Sequence, residues 1–180
     1  GYYKNLELTE QSKVMINGIE YFITGTIGKI DEQGYFTPTA RKTRFYINDE
    51  LKKVYCDGVQ NIISNFECVK ACAVVPVPDE GRRLVNKAYI VLNEGCEPIE
   101  EMKEVINRLF SKSVTTPTGE VLQLKPYEIP SYIEFINEIP RIQGSEKVDY
   151  LFLEKDAKEK HEQSKQEELG HQKSIGTNIK

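Results

Sequence analysis

No stretch of this chain approaches the ~20 consecutive apolar residues of a membrane-spanning helix, and no secretory leader pattern is visible. Positive charge is not in excess either. The 24 Lys and Arg stand against 28 Asp and Glu, the net charge is −4, and no basic stripe stands out, which argues against a nucleic-acid partner. Histidine is scarce: His161 and His171 both fall in a polar tail. The four cysteines, Cys56, Cys68, Cys72 and Cys96, have no Cys or His pair at zinc-site spacing beside them. The expectation is no metal site, reduced and structural cysteines, and a cytoplasmic setting. A phosphate-binding loop is also missing, since Thr118-Gly119 lacks the required glycine spacing and the Lys-Ser/Thr pair. The chain opens on Gly1 rather than Met, which raises the expectation of lost upstream sequence.

What is present suffices for one core and a small appendage. Residues 1–40 read as short strands. Val14–Ile16 and Ile19–Ile23 flank Asn17-Gly18, a hairpin signal because both central positions tolerate positive φ. A second turn is expected over Asp31–Gly34. Few large apolar residues occur here, so this part closes no core alone and calls for something to pack on. Residues 40–53, with Arg41, Lys42, Arg44, Lys52 and Lys53, read as a solvated connector and a domain boundary.

From Asp57, a suitable helix cap, the period becomes helical: Val59, Ile62, Ile63, Phe66 and Val69 share one face. Ala71–Val75 is continuously apolar, the mark of a strand covered on both faces. Ala88–Leu92 is the next strand, and the short turn at Asp79–Gly81 implies antiparallel pairing. Pro98 opens a second helix, with Ile99, Met102, Val105, Ile106, Leu109 and Phe110 as its apolar stripe. Ser113–Leu124 reads as a loop or a hairpin with its tip near Pro117–Gly119. Tyr132–Phe135 is a strand that stops before Pro140. A polar loop, Gln143-Gly144-Ser145-Glu146, then delivers Lys147 just ahead of a short helix capped by Asp149. A loop lysine is most often a solvated surface residue. Beyond about residue 158 the chain is Lys, Glu and Gln rich with almost no apolar residues, and reads as a frayed helix or disorder.

These segments, in this order, resemble the C-terminal region of AMP-forming adenylating enzymes, the superfamily of acyl-CoA synthetases and peptide-synthetase adenylation domains. Gly1-Tyr2-Tyr3-Lys4-Asn5 is similar to its GYY-N segment, and Tyr21–Thr26 (YFITGT) to W-[FY]-R-T-G-D. Ile30–Phe36 is similar to D-x-x-G-Y, and Ala40–Thr43 (ARKT) to G-R-x-D. Val69–Asp79 (VKACAVVPVPD) resembles V-x-x-A-A-V-V-G-V-P-D. Pro140–Lys155 resembles P-R-T-x-x-G-K-V-D-Y-x-x-L-E-K.

The resemblance implies an α+β fold: a small three-stranded sheet covered by helices, a C-terminal lid domain over 43–157. A short all-β remnant of a large N-terminal domain precedes it over 1–42, and a polar tail follows over 158–180. It implies an acid–thiol ligase that forms an acyl-adenylate from ATP with Mg and hands the acyl group to CoA or a phosphopantetheine-bearing carrier protein. Lys147 would be catalytic, Arg41 and Thr26 nucleotide-binding, and Thr43 the hinge. The implied partners are the N-terminal adenylation domain and a small carboxylic acid.

Five positions depart from the pattern, and the loop before Lys147 is one residue longer than usual. Ala40 replaces the glycine of the hinge motif. Thr26 replaces an aspartate that binds ribose, Ile23 an arginine and Thr43 the hinge aspartate. Glu146 replaces the glycine before Lys147, where a carboxylate can pair with the ammonium and misplace it. A diverged, non-catalytic interaction module is therefore the alternative reading, and an independent small α+β binding protein a third.

Overall fold

A computed structural model describes residues 1–79, 81–97, 112–117 and 119–176, with side chains as far as residue 165. The chain divides into two compact units, Gly1–Thr43 and Arg44–Lys180.

The first unit begins with a helix, α1 (Leu6–Gln11), so the expectation of an all-β segment is corrected there. The Asn5 side chain caps it by accepting from the Leu8 N–H at 2.9 Å. The helix buries no residue, so no apolar stripe marks it in the sequence. Strands β1 (Lys13–Ile16) and β2 (Ile19–Phe22) pair antiparallel around Asn17-Gly18. Both turn residues have positive φ, 51° and 79°, as the Asn-Gly signal requires. Strands β3 (Thr26–Ile30) and β4 (Phe36–Arg41) form a second hairpin. Its turn is held by the Asp31 carboxylate, which accepts from the N–H groups of Gln33 at 3.0 Å and Tyr35 at 2.8 Å. No residue of this unit is buried: Ile16, Ile19, Phe22, Ile30 and Phe36 all lie exposed.

The second unit carries the core. Its main sheet has the order β11-β8-β7, formed by β7 (Val69–Asp79), β8 (Arg82–Leu92) and β11 (Tyr132–Phe135). Strands β7 and β8 are antiparallel, as the short turn implied, while β11 runs parallel to β8. The alternation of side chains along β7 splits the core into two layers. Cys72 and Val74 face α2 (Cys56–Ile63), joining Val59, Ile63, Ala88, Ile90 and Ile133. Ala73, Val75 and Val77 face the opposite way and pack with Tyr89, Leu153 and Ala157. Both faces of the sheet are therefore covered, which is why β7 and β8 read as continuous apolar runs.

The helix covering the second face is α3 (Tyr150–Gly176). The short helix expected near Leu151–Ala157 continues to Gly176, so of the two readings of the tail, helix or disorder, the helical one describes it that far. Polar anchors hold it. Lys160 lies 2.5 Å from Glu134 and 3.0 Å from Asp156, Lys87 lies 2.8 Å from Glu134, and the Tyr89 hydroxyl donates to Asp156 at 2.6 Å. The stripe expected over Pro98–Phe110 lies outside the described residues. Strands β9 (Val114–Thr115) and β10 (Val121–Leu122) pair antiparallel, one of the two readings of that stretch.

Three further expectations change. The connector expected over 40–53 gives way to a hairpin, β5 (Phe45–Ile47) with β6 (Lys53–Tyr55), which buries Tyr46 and Val54. Asp57 does not cap α2: the cap position is Tyr55, and the Asp57 carboxylate pairs with Arg44. Cys68 and Cys96 are not reduced but form a disulfide, with 5.8 Å between Cα atoms. The β7–β8 pairing places Val69 opposite Leu92, and a turn closed by Cys96 N–H donating to Asn93 O at 3.1 Å brings Cys96 back to Cys68. Asn93 fastens them by donating to the carbonyls of Cys68 at 3.0 Å and Glu67 at 2.7 Å. Cys56 and Cys72 remain buried free thiols.

Candidate functional site

Lys147 ends a small β-like ring. Arg141 and Val148 are an antiparallel bridge pair, with Ile142 N–H donating to Lys147 O and Asp149 N–H to Pro140 O, both at 2.9 Å. Ser145 N–H donates to Ile142 O at 2.9 Å, and Lys147 N–H donates to the Ser145 hydroxyl at 3.1 Å. Gly144 takes a φ of 74° at the bend, where a side chain would be strained. The backbone of Lys147 is thus fixed at both polar atoms, while the side chain is exposed. Asp149 then caps α3, as expected, accepting from Phe152 N–H at 3.0 Å.

Glu146 does not pair with Lys147. Its carboxylate lies 3.0 Å from Arg141, whose Nη1 also donates to the Glu146 carbonyl. Among the described residues no carboxylate lies in ion-pair range of the Lys147 ammonium.

In the first unit, Thr26 and Arg41 are directly opposed on β3 and β4. A bulge makes this so. Gly28 pairs with Pro38 and Ile27 with Ala40, leaving Thr39 as the extra residue. Without it the register would set Thr26 against Ala40 and turn Arg41 to the other face. Gly28 is needed beside the bulge, because a Cβ there would lie 2.5 Å from the Phe36 ring. Thr43, exposed, is the last residue of the unit.

Sequence reasoning missed the cluster built on Arg44. Its guanidinium pairs with Asp57, donates to Val74 O at 2.8 Å and lies 3.3 Å from the centroid of the Tyr150 ring. The Gln60 side-chain oxygen accepts from Tyr150 OH at 3.1 Å and from Val74 N–H at 3.3 Å. This knot ties the first residue of the unit to α2, β7 and the start of α3. In the sequence Arg44 was one of a run of basic residues, and nothing local pointed to a partner as remote as Tyr150.

The architecture is a helix-covered sheet that ends in a braced lysine loop. Residues 58–147 match the AMP-binding enzyme C-terminal domain, and the chain belongs to that family. Its relatives are acyl-CoA ligases of the AMP-forming adenylating superfamily. An uncharacterized acyl-CoA ligase of Bacillus subtilis (YtcI) is 33% identical over 135 residues, which are 73% of this chain and 23% of that protein. A 4-hydroxybutyrate–CoA ligase of Metallosphaera sedula is 33% identical over 126 residues, 67% of this chain and 20% of the relative. ATP-bound MatB of Rhodopseudomonas palustris superposes with a TM-score of 0.64 at 25% identity, over 87% of this chain and 27% of that one. The chain spans about a quarter of the length of these proteins. Among the described residues no group of three or more His, Cys, Asp or Glu is placed to hold a metal ion, and no helix is long and apolar enough to cross a membrane.

Proposed function

We propose that this chain is the C-terminal part of an ATP-dependent, AMP-forming ligase that activates a carboxylic acid and passes it to a thiol, either CoA or a carrier protein's phosphopantetheine. The supporting observation is the loop that fixes the backbone of Lys147 and leaves its side chain exposed. When a carboxylate oxygen attacks the α-phosphorus of ATP and pyrophosphate leaves, negative charge gathers on the phosphoryl oxygens. An ammonium of fixed origin stabilises that charge without bidentate geometry. Lys147 takes this role. Arg41 and Thr26, brought face to face by the β4 bulge, would hold the nucleotide. Thr43 is the hinge about which the lid turns. Mg accompanies ATP.

No Ser/Thr/Gly-rich phosphate loop occurs in these 180 residues, so the chain alone does not catalyse adenylation. Mixing it with the matching N-terminal domain and following ATP–pyrophosphate exchange tests the reading. Lys147→Ala should lower exchange about 10²–10³-fold, and equal rates for both chains would remove the lysine from the chemistry. Thr26, where the family has aspartate, supports a second reading, a non-catalytic interaction module. Measurable ATP turnover by the assembled protein would exclude it.

A further inference from the structure

We propose that Arg141 is a positioning residue for Lys147: it ties Glu146 to one face of the loop, so that the ammonium next door stays unpaired. The inference rests on the reading of Lys147 given above. The loop is a two-stranded ring in which Arg141 is bridged to Val148 and Ile142 N–H donates to Lys147 O. Successive side chains in such a ring alternate between faces. Arg141, Val148 and Glu146 therefore share one face, while Lys147 and Ile142 take the other. Arg141 and Val148 are a non-hydrogen-bonded pair, in which opposing side chains come closest. From there the Arg141 guanidinium reaches diagonally to Glu146 and holds both its carboxylate, at 3.0 Å, and its backbone carbonyl. Glu146 is otherwise 96% exposed. Without the arginine the long, exposed Glu146 side chain would be held off the adjacent lysine by the alternation of faces alone, which its flexible stem can bend around, and an ion pair there would neutralise the charge that the reaction needs.

The test reads Lys147 itself, in the full chain and without ATP. The measurement is its rate of acetylation by trace acetic anhydride, from peptide mass spectrometry, with exposed Lys155 as internal reference. Arg141→Gln should slow Lys147 about two- to fivefold, the range of a surface ion pair. The double variant Arg141→Gln/Glu146→Gln should restore the native rate, and about 1 M salt should erase the difference among all variants. Glu146→Gln alone should leave the rate as it is. The proposal is overturned if Arg141→Gln leaves Lys147 unchanged. It is equally overturned if the double variant stays slow, which would mean a loosened loop, or if Glu146→Gln alone accelerates the lysine, which would mean the carboxylate already bears on it. Because no nucleotide is involved, a failure of Lys147→Ala to affect pyrophosphate exchange would strike the functional reading and leave this result standing.

Discussion

The guanidinium of Arg44 lies over the ring of Tyr150, 3.3 Å from its centroid, although Arg44 is the first residue of the second unit and Tyr150 opens its last helix. The same guanidinium pairs with Asp57 and donates to Val74 O, and only about a fifth of either charged side chain is exposed. A charge so covered is costly to leave alone. Arg44→Ala should therefore destabilise the second unit by about 2–4 kcal/mol, since it strands Asp57 as well as uncovering Tyr150. Arg44→Lys should recover less than half, because an ammonium cannot reach a carboxylate, a carbonyl and a ring face at once. Urea denaturation followed by tyrosine fluorescence measures both. Equal stability of the three proteins would show the knot to be decoration.

The cysteines make a second prediction. Burial pushes the Cys56 and Cys72 thiols up to about 12, with no nearby positive charge able to offset it at Cys72. Thiolate is the reactive form, so neither should react with a disulfide reagent at pH 8 in the folded protein. Native protein should show almost no reactive thiol, and mild reduction should expose two, Cys68 and Cys96. Opening this bridge, which spans 28 residues, should also cost about 3–4 kcal/mol on the chain-entropy account. Mass-spectrometric mapping of alkylated cysteines, with urea midpoints before and after reduction, checks both halves.

Much of the fold was legible because its signals were local. Asn17-Gly18, the Asp31 turn, the Asp149 cap and the stripe of Val59 and Ile63 each act within a few residues, and each occurs where expected. What escaped lacked a local signature. The β5–β6 hairpin has three-residue strands and buries only Tyr46 and Val54. The long α3 has no apolar stripe beyond Ala157 and is anchored instead by Lys160, whose partners lie on another element as well as its own. The Cys68–Cys96 bridge depends on strand register. So does the approach of Thr26 to Arg41, which a single bulged residue decides.

The anchors of α3 predict how the protein responds to acid. Burial raises the Glu134 carboxyl, but hydrogen bonds from Lys160 and Lys87 outweigh it and hold it below the usual carboxylate range. Asp156 is held down in the same way by Tyr89 and Lys160 against its own burial. A carboxyl lowered by folding contributes stability that is complete above its unfolded value, about 4, and is lost as pH falls through the folded value. The urea midpoint should therefore decline below about pH 4, and Glu134→Gln should flatten that decline while lowering the midpoint at pH 7. Lys160 is shifted the opposite way: burial would lower it, but Glu134 and Asp156 raise it. Its contribution is present through neutral pH and disappears only as pH rises through its folded value, so the mildly alkaline limb should stay level. A Glu134→Gln protein with the native acid profile would place the sensitivity elsewhere.

The Thr26–Arg41 pair offers a gain-of-function experiment. A threonine hydroxyl is a single neutral acceptor oxygen, whereas a carboxylate offers two charged oxygens to two ribose hydroxyls. The bulge at Thr39 already sets position 26 on the same face as Arg41, so Thr26→Asp needs no rearrangement of the hairpin. In the chain joined to its N-terminal domain, this substitution should tighten ATP binding about tenfold, the scale of one added charge-assisted hydrogen bond. Arg41→Ala should weaken binding whether position 26 carries Thr or Asp. The rival outcome is that the new carboxylate is captured by Arg41 across the hairpin, which would leave ATP affinity unchanged and raise hairpin stability. Isothermal titration with ATP, run beside a thermal melt, separates the two. If neither Thr26→Asp nor Arg41→Ala moves ATP affinity, the facing pair does not touch the nucleotide, and its role in the proposed ligase falls.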